Sequence, residues 1–361
     1  MHAMLRVHDL SEDDVPPDRP PQVSVILPVR DGQRWLREAI DSVLTQTLSD
    51  LELVVIDDGS TDATPALLDE VRARDPRVIA LRQEREGLVA ALNRGLAQAR
   101  APLIARLDAD DIALPDRLAR QCDYLHAHPD VVLLGGWAEI IDENGASRGK
   151  QMRPNPGGLR ETLARKSPFI HPTVMVRADA ARRVGGYRSA FEAGEDYDFW
   201  LRLADAGEIA ILPDVLIRYR EHGGSVTRTR ELRQIYSARL AKLASAARRG
   251  GRPDPSAALA APPDWHDPAP GPFERDSSRL FRMLELADPE LARAAPASAI
   301  DLAAITSQLA TLTAGERKFA QAAVLNLLNG DRKLPGVSRA SLLALLLRLG
   351  PAKAIKLMLK G

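Results

Sequence analysis

The amino-acid sequence predicts an α/β protein: a mostly parallel sheet flanked by helices, then a mainly helical C-terminal region. Three observations predict it. Short β-rich apolar runs alternate with helix-period segments through the first 110 residues. A stretch rich in Pro and Ala breaks the pattern across residues 249–276. Beyond it, from Ser277 to Leu359, the pattern is that of several helices with short loops. The division expected is a flexible segment (1–20), an α/β domain (21–248), a Pro/Ala-rich linker or irregular wrap (249–276) and a helical region (277–361).

The elements follow in order. Val23–Leu27 is a buried strand, short and β-branched. Leu36, Ala39, Ile40, Val43 and Leu44 recur at helical spacing. Leu51–Ile56 is a second strand, and Ala63–Arg74 a second helix. Val78–Leu81, Gly87–Arg100 and Pro102–Leu107 give strand, helix, strand. A β-α-β-α-β-α-β order requires crossovers and so a parallel sheet covered on both faces. In such sheets ligands bind beyond the carboxyl ends of the strands. Later the pattern is mixed. Pro115–His128 is helical, Val131–Trp137 a strand, and Ile140–Gly149 a hairpin with Asn144-Gly145 at its tip. Thr173–Val176 and Glu208–Leu212 are short strands, and a loop from Ser189 leads into a helix over Asp196–Ala206.

Composition narrows the function classes. Forty-nine basic and 49 acidic residues cancel, so no global field for nucleic acid exists. A single cysteine, Cys122, forms neither an internal disulfide nor a zinc site and fits a reducing compartment. Residues 1–21 are polar and proline-rich, unlike a signal or transit peptide. The longest apolar run, Leu342–Leu347, is far short of a membrane span. The tail from Ser338 carries Arg339, Arg348, Lys353, Lys356 and Lys360 without an acid. It reads as a bundle helix with a solvated basic face, or as a contact with an anionic membrane.

The strand ends carry the chemistry. After strand one stands Pro28-Val29-Arg30-Asp31-Gly32, which is neither a dinucleotide fingerprint nor a P-loop. Strand two ends in Asp57-Asp58-Gly59-Ser60-Thr61-Asp62. A tight turn with Ser60 or Thr61 capping the next helix explains part of it; two adjacent acids also suit a ribose hydroxyl or base N–H. Strand four ends in Asp108-Ala109-Asp110-Asp111, whose carboxylates repel one another unless a cation offsets them. On an extended chain Asp108 and Asp110 share a side, and all-oxygen ligation suits Mg²⁺ or Mn²⁺ beside phosphate.

In this order the motifs resemble those of a family-2 inverting glycosyltransferase with the GT-A fold. The resemblance rests on Val23–Val29, on Ile56–Asp62, on Leu92-Asn93-Arg94-Gly95, on Asp108–Asp111 and on Leu114–Leu118. It continues through His171-Pro172-Thr173-Val174-Met175, Gly185-Gly186-Tyr187-Arg188, Glu195–Leu203 and Tyr219-Arg220-Glu221-His222. It covers about residues 21–230, and the Ala-Arg-x-Asp-Ala-Asp-Asp form resembles bacterial enzymes of surface-polysaccharide or lipopolysaccharide synthesis.

The resemblance implies a nucleotide-sugar donor, UDP by family weight, and a glycan or lipid-linked glycan acceptor. By the same resemblance Asp58 contacts the base, Pro28 and Arg30 line its pocket, and Asp108 meets ribose or metal. Asp110 holds a divalent ion (Mn²⁺ or Mg²⁺), joined by His222, and Asp196 is the general base, with Glu195 as its competitor. Arg30 and Leu92 depart from the family, where Tyr and Arg are common. His171 reads as structural. Phe199, Trp200, Leu201 and Leu203 read as core, with Trp200 also a platform for acceptor. No nucleic-acid partner is expected, and the location expected is cytoplasmic, with peripheral contact at the inner membrane face. Without a Gln-x-x-Arg-Trp signature, single-sugar addition is expected. Two rivals are weighed. A nucleotidyltransferase needs a Gly-rich basic loop after strand one, which this chain lacks. A catalytically silent scaffold acting through its helical C-terminal region needs lost acids, and Asp108, Asp110 and Asp196 are all present.

Overall fold

The computed structural model describes residues 19–222, 228–263, 271, 273, 314–329 and 338–350. Strand β1 (Val23–Val29) is buried throughout, as is β2 (Leu51–Asp58). They run parallel, from Val23 opposite Leu51 to Val29 opposite Asp57. Strand β3 (Val78–Gln83) pairs parallel with β2, and β4 (Leu103–Arg106) parallel with the other edge of β1. Helices α1 (Leu36–Leu44), α2 (Thr64–Arg74) and α3 (Leu88–Gln98) make the crossovers. Alternation along β1 divides the core. Val25 and Leu27 face Leu36, Ile40 and Val43 of α1, while Ile26 faces Ala91, Leu92 and Leu96 of α3.

The remaining elements are β5 (Ile112–Ala113), α4 (Arg117–Ala127), β6 (Val131–Ile141), β7 (Ser147–Met152), α5 (Leu159–Leu163), β8 (Met175–Arg177), α6 (Ala178–Arg183), α7 (Glu195–Ala206), β9 (Glu208–Arg220) and α8 (Arg228–Arg249). The sheet order is β3-β2-β1-β4-β8-β6-β9-β5, with β7 on β6. Strand β8 lies antiparallel between β4 and β6, and β6 and β9 are parallel. Beyond β8 the sheet is therefore mixed. The hairpin joining β6 to β7 turns at Asn144-Gly145, where the Asp142 carboxylate accepts from the N–H groups of Asn144 and Ala146 at 2.9 Å each.

Two strands differ from expectation. Pro172 starts a single 3-10 turn at His171–Thr173, so β8 begins at Met175. Strand β9 continues past Leu212 to Arg220, beyond the short apolar segment that signalled it. Its pairing with β6 shifts register between Gly135 and Trp137, which lets the ladder resume after Pro213.

Helix α7 is buried on nearly every face, and Phe199 and Trp200 are fully enclosed. Trp200 is therefore core and offers no face to an acceptor, which corrects the platform reading. Asp198 is wholly buried between Arg188 and Arg202. Arg202 also donates to the carbonyls of Val184 at 2.5 Å and Gly186 at 2.7 Å. Residues 252–263 lie against this unit as an irregular wrap. Asp254 accepts from Arg188 at 3.1 Å and Arg248 at 2.8 Å, and the Ser189 hydroxyl donates to the Ala260 carbonyl at 2.6 Å.

Helices α9 (Ala314–Asn329) and α10 (Arg339–Leu349) pack together. Ser338 caps α10, and Leu342, Leu345, Leu346 and Leu349 are buried in the apolar cluster that also holds Ala320, Ala323 and Val324. Lys353, Lys356 and Lys360 lie outside the described residues. Among the described residues no helix is long and apolar enough to cross a membrane.

Candidate active site at the carboxyl ends of the strands

The ends of β1 and β2 open into a cavity of about 690 Å³, lined by Pro28, Val29, Arg30, Asp58 and the loop Arg85–Leu88. Its walls are stitched together. The Asp31 N–H donates to Ser60 Oγ at 2.8 Å, and Asp31 Oδ1 accepts from Thr61 N–H at 2.8 Å. Gly32 N–H donates to Thr64 Oγ1 at 2.9 Å and Gln33 N–H to Asp62 at 3.0 Å. These bonds hold Asp31 in a left-handed conformation with φ 51°. Ser60 and Thr61 thus bind the neighbouring loop and do not cap α2, whose N-cap, Ala63, has no side-chain bond.

The paired acids of β2 divide the work. Asp57 Oδ1 accepts from the Ser60 N–H at 2.9 Å and shapes the turn. Asp58 is buried and accepts from Gln83 at 2.9 Å, from the Glu86 N–H at 2.8 Å and from the Gly87 N–H, the last reaching both oxygens. Asp58 Oδ2 takes only that one bond, so it retains acceptor capacity toward the cavity.

Pro28 and Asp108 each lie two residues past a paired position, Ile26 opposite Arg106, on adjacent parallel strands. The acid motif is therefore beside the cavity on the same sheet edge. The chain does not stay extended there: it turns after Leu107, and oxygens of Asp108, Asp110 and Asp111 come within 4.8 Å of one another. Gathering by a turn replaces the side-by-side placement expected of Asp108 and Asp110 alone.

Arg106 and Arg220 hold the cluster. Buried Arg106 meets both Asp108 oxygens through a two-pronged contact. The Arg220 N–H donates to Asp111 Oδ1 at 2.9 Å, and its Nε donates to the Asp110 carbonyl at 2.8 Å. Sequence reasoning gave neither arginine a role. The usable signal for Arg106 was a charged residue in an otherwise apolar strand, beside three acids. His222 Nε2 stands 3.0 Å from Asp110 Oδ2.

The electrostatics are those of an anionic cluster that Arg106 offsets only in part. Burial, then the charges of Asp108 and Asp110, raise the Asp111 carboxyl well above its ordinary range. Burial also raises Asp108, against the Arg106 charge. Asp111 Oδ2 is buried without a partner. A divalent cation fits this set. The buried, unpartnered Asp111 oxygen offers such an ion a ligand, and His222 Nε2 stands hydrogen-bonded to Asp110 beside the group.

The start of α7 is tied to the acid cluster through Arg106, whose charge acts on both Asp108 and Asp196. Gly194 is its N-cap and Asp196 its second residue. Burial raises the Asp196 carboxyl above the usual range, while the Tyr197 N–H, 2.7 Å away, and the Arg106 charge favour its ionised form. The Trp200 indole N–H, four residues on in α7, also favours that form. Glu195 is more deeply buried than Asp196. His171 Nε2 lies 3.0 Å from the Tyr187 hydroxyl, and its ring meets Trp200 edge-on at 5.4 Å. Burial and the Arg106 charge keep its imidazole neutral, as suits a packing role. Leu92 is core, and Cys122 is buried with its thiol pushed up to about 12.

Comparison with known proteins agrees with this geometry. The family described as Glycosyl transferase family 2 matches residues 24–185. The chain is 34% identical over 204 residues to the amylovoran biosynthesis glycosyltransferase AmsE of Erwinia amylovora, covering 56% of this chain and 76% of AmsE. It is 34% identical over 211 residues to the O-antigen biosynthesis glycosyltransferase WbnJ of Escherichia coli, covering 57% of this chain and 82% of WbnJ. In fold it is similar to S. aureus TarS 1-349, solved in complex with UDP: TM-score 0.51, 15% identity, 92% of this chain and 87% of TarS 1-349. The sheet, the acid turn at its edge and these relatives lead to one conclusion: the chain belongs to glycosyltransferase family 2 and is a glycosyltransferase of the GT-A fold.

Proposed function

We propose that the chain moves one sugar from a nucleotide-sugar to a glycan or lipid-linked glycan acceptor in cell-surface polysaccharide synthesis, inverting the anomeric centre. The observation that carries this reading is the nucleotide-sized cavity and the acid cluster side by side on one sheet edge. The names of AmsE and WbnJ, amylovoran and O-antigen biosynthesis, support the polysaccharide context. The likeness to TarS is one of fold, and its bound UDP makes UDP the first nucleotide to try.

In this reading Pro28 and Arg30 flank the base, the Arg30 guanidinium stacking where relatives use a ring. Asp58 Oδ2 accepts from a base N–H. Asp110, Asp111 and His222 hold a Mn²⁺ or Mg²⁺ ion, and Asp108, fixed by Arg106, faces the ribose or the ion. When bound, the ion offsets the charge that grows on the departing diphosphate. Asp196 accepts the acceptor hydroxyl's proton as the new bond forms, a contribution of about 10²–10⁴-fold. With attack opposite the leaving group, no enzyme nucleophile is required.

The test is calorimetry with UDP, GDP, dTDP and CDP, with and without Mn²⁺, on wild type and Asp110→Asn. One nucleotide should bind in a Mn²⁺-dependent manner, with that dependence lost in the variant. No metal-dependent binding by any of the four overturns the donor-site reading.

A further inference from the structure

We infer that Trp35 is a positioning residue for the metal centre, setting the orientation of His222; this rests on the reading of Asp110 and His222 as ligands given above. Trp35 is far from the acids in sequence and precedes α1, yet the β6–β7 turn and the end of β9 both meet its indole. The ring lies 4.6 Å from the His222 ring, at an interplanar angle of 33°. Its Nε1–H donates to the Glu143 carbonyl in the β6–β7 turn at 3.0 Å. The Arg34 guanidinium lies over the same ring at 4.5 Å, and that of Arg220 at 5.6 Å.

These contacts leave the indole little freedom. The hydrogen bond to Glu143 fixes its in-plane rotation, and the same turn is anchored from both sides. Arg34 pairs with the Glu143 carboxylate at 3.2 Å, and Arg220 donates to the Glu143 carbonyl at 3.3 Å. The Arg220 side chain is itself almost wholly buried, tied to Glu38 at 2.6 Å and to the Asp110 carbonyl. His222, by contrast, is exposed, and its Nε2 meets Asp110 Oδ2. An exposed imidazole with one polar tether rotates about χ1 and χ2 unless a surface stops it. The Trp35 face is that surface, and it keeps Nε2 directed at Asp110. Groups that orient a metal ligand without touching the ion commonly change metal affinity by about 10–100-fold.

The experiment compares wild type, Trp35→Leu, Trp35→Phe and His222→Ala in calorimetric titrations with UDP, GDP, dTDP or CDP, whichever binds the wild type, at stepped Mn²⁺ concentrations. Trp35→Leu keeps an apolar side chain and removes the ring; it should raise the half-saturating Mn²⁺ about tenfold. Trp35→Phe retains a ring face against His222 and should stay within about threefold. Metal-free nucleotide binding should be unchanged in both, which a general loosening of the site would not leave intact. In the His222→Ala background, Trp35→Leu should have no further effect, because the two act through one ligand. An unchanged Mn²⁺ requirement in Trp35→Leu overturns the assignment, as does an equal tenfold effect without His222. If the wild type shows no metal-dependent binding, the functional reading fails first and takes this one with it; the wild-type titration separates the cases.

Discussion

In the proposed reading, Asp196 is the one side chain that ties activity to pH. Its carboxyl is held above the ordinary aspartate range, chiefly by burial. A base must be ionised, so activity should fall as pH drops through this raised value, above the usual value of about 3.9. Saturating metal suppresses protonation of Asp108 and Asp111, which isolates the Asp196 limb. Asp196→Asn should remove that limb and lower kcat by about 10²–10⁴-fold, read from a pH–rate profile. Stability should move the other way. A raised folded-state pKa gives a stabilisation present below the unfolded value and lost as pH rises through the folded one. At neutral pH that stabilisation is already lost, so Asp196→Asn should melt no lower than wild type. At this scale much of the site was legible: Pro28, Arg30, Asp58, the acid turn and His222 stand at one edge. Arg220 and Trp35 were not: Arg220 pairs with Glu38, 182 residues away, and Trp35 with the Glu143 carbonyl, 108 residues away, and no local pattern encodes that.

Helix α7 is the element on which the site depends most. Its first turn carries Asp196, and two residues later Asp198 anchors it to the loop after α6 through Arg188 and Arg202. Removing one partner of a buried ion group leaves charge uncompensated, at a cost of about 3–5 kcal/mol. Asp198→Ala should therefore lower the unfolding free energy by that margin, read from the fall in the urea midpoint at unchanged slope. Asn93 contributes to the same frame: its amide donates to the Tyr187 carbonyl and accepts from the Tyr187 N–H, both at 2.8 Å. Gly95, one turn along, lets α3 approach the sheet; a Cβ there would stand 2.5 Å from Ile26 Cγ2. The Leu92–Gly95 motif is thus architectural. Among elements, the strand–helix alternation was readable through β4 because each period is local. The extent of β9 was not. Its second half is held by β6 across a register shift, and Pro213 in the sequence argues for a stop.

For the whole molecule, the two apolar clusters share one sheet, so a ligand at its edge acts on both. A nucleoside diphosphate with Mn²⁺ at about 100 times Kd should stabilise the native state by about 2.7 kcal/mol. Thermal melting should then shift as one transition by several degrees, and Asp110→Asn should lose the metal-dependent part of the shift. The α/β class and the helical C-terminal region were legible from periodicity, whereas the wrap of residues 252–263 on α7 and α8 depends on tertiary pairing of Asp254. The latch between the acid turn and the end of β9 also has a consequence in time. Asp110 and His222 are 112 residues apart. At about 5–20 residues per second the ribosome takes roughly 6–20 s to cover that distance. For that interval the nascent chain exposes three mutually repelling carboxylates with neither Arg220 nor His222 made. The cavity at the ends of β1 and β2 is drawn from residues 28–91, all of them translated before that interval begins. In the order of synthesis the two parts of the candidate site are thus separated, the cavity lining first and the latch on the acid turn last.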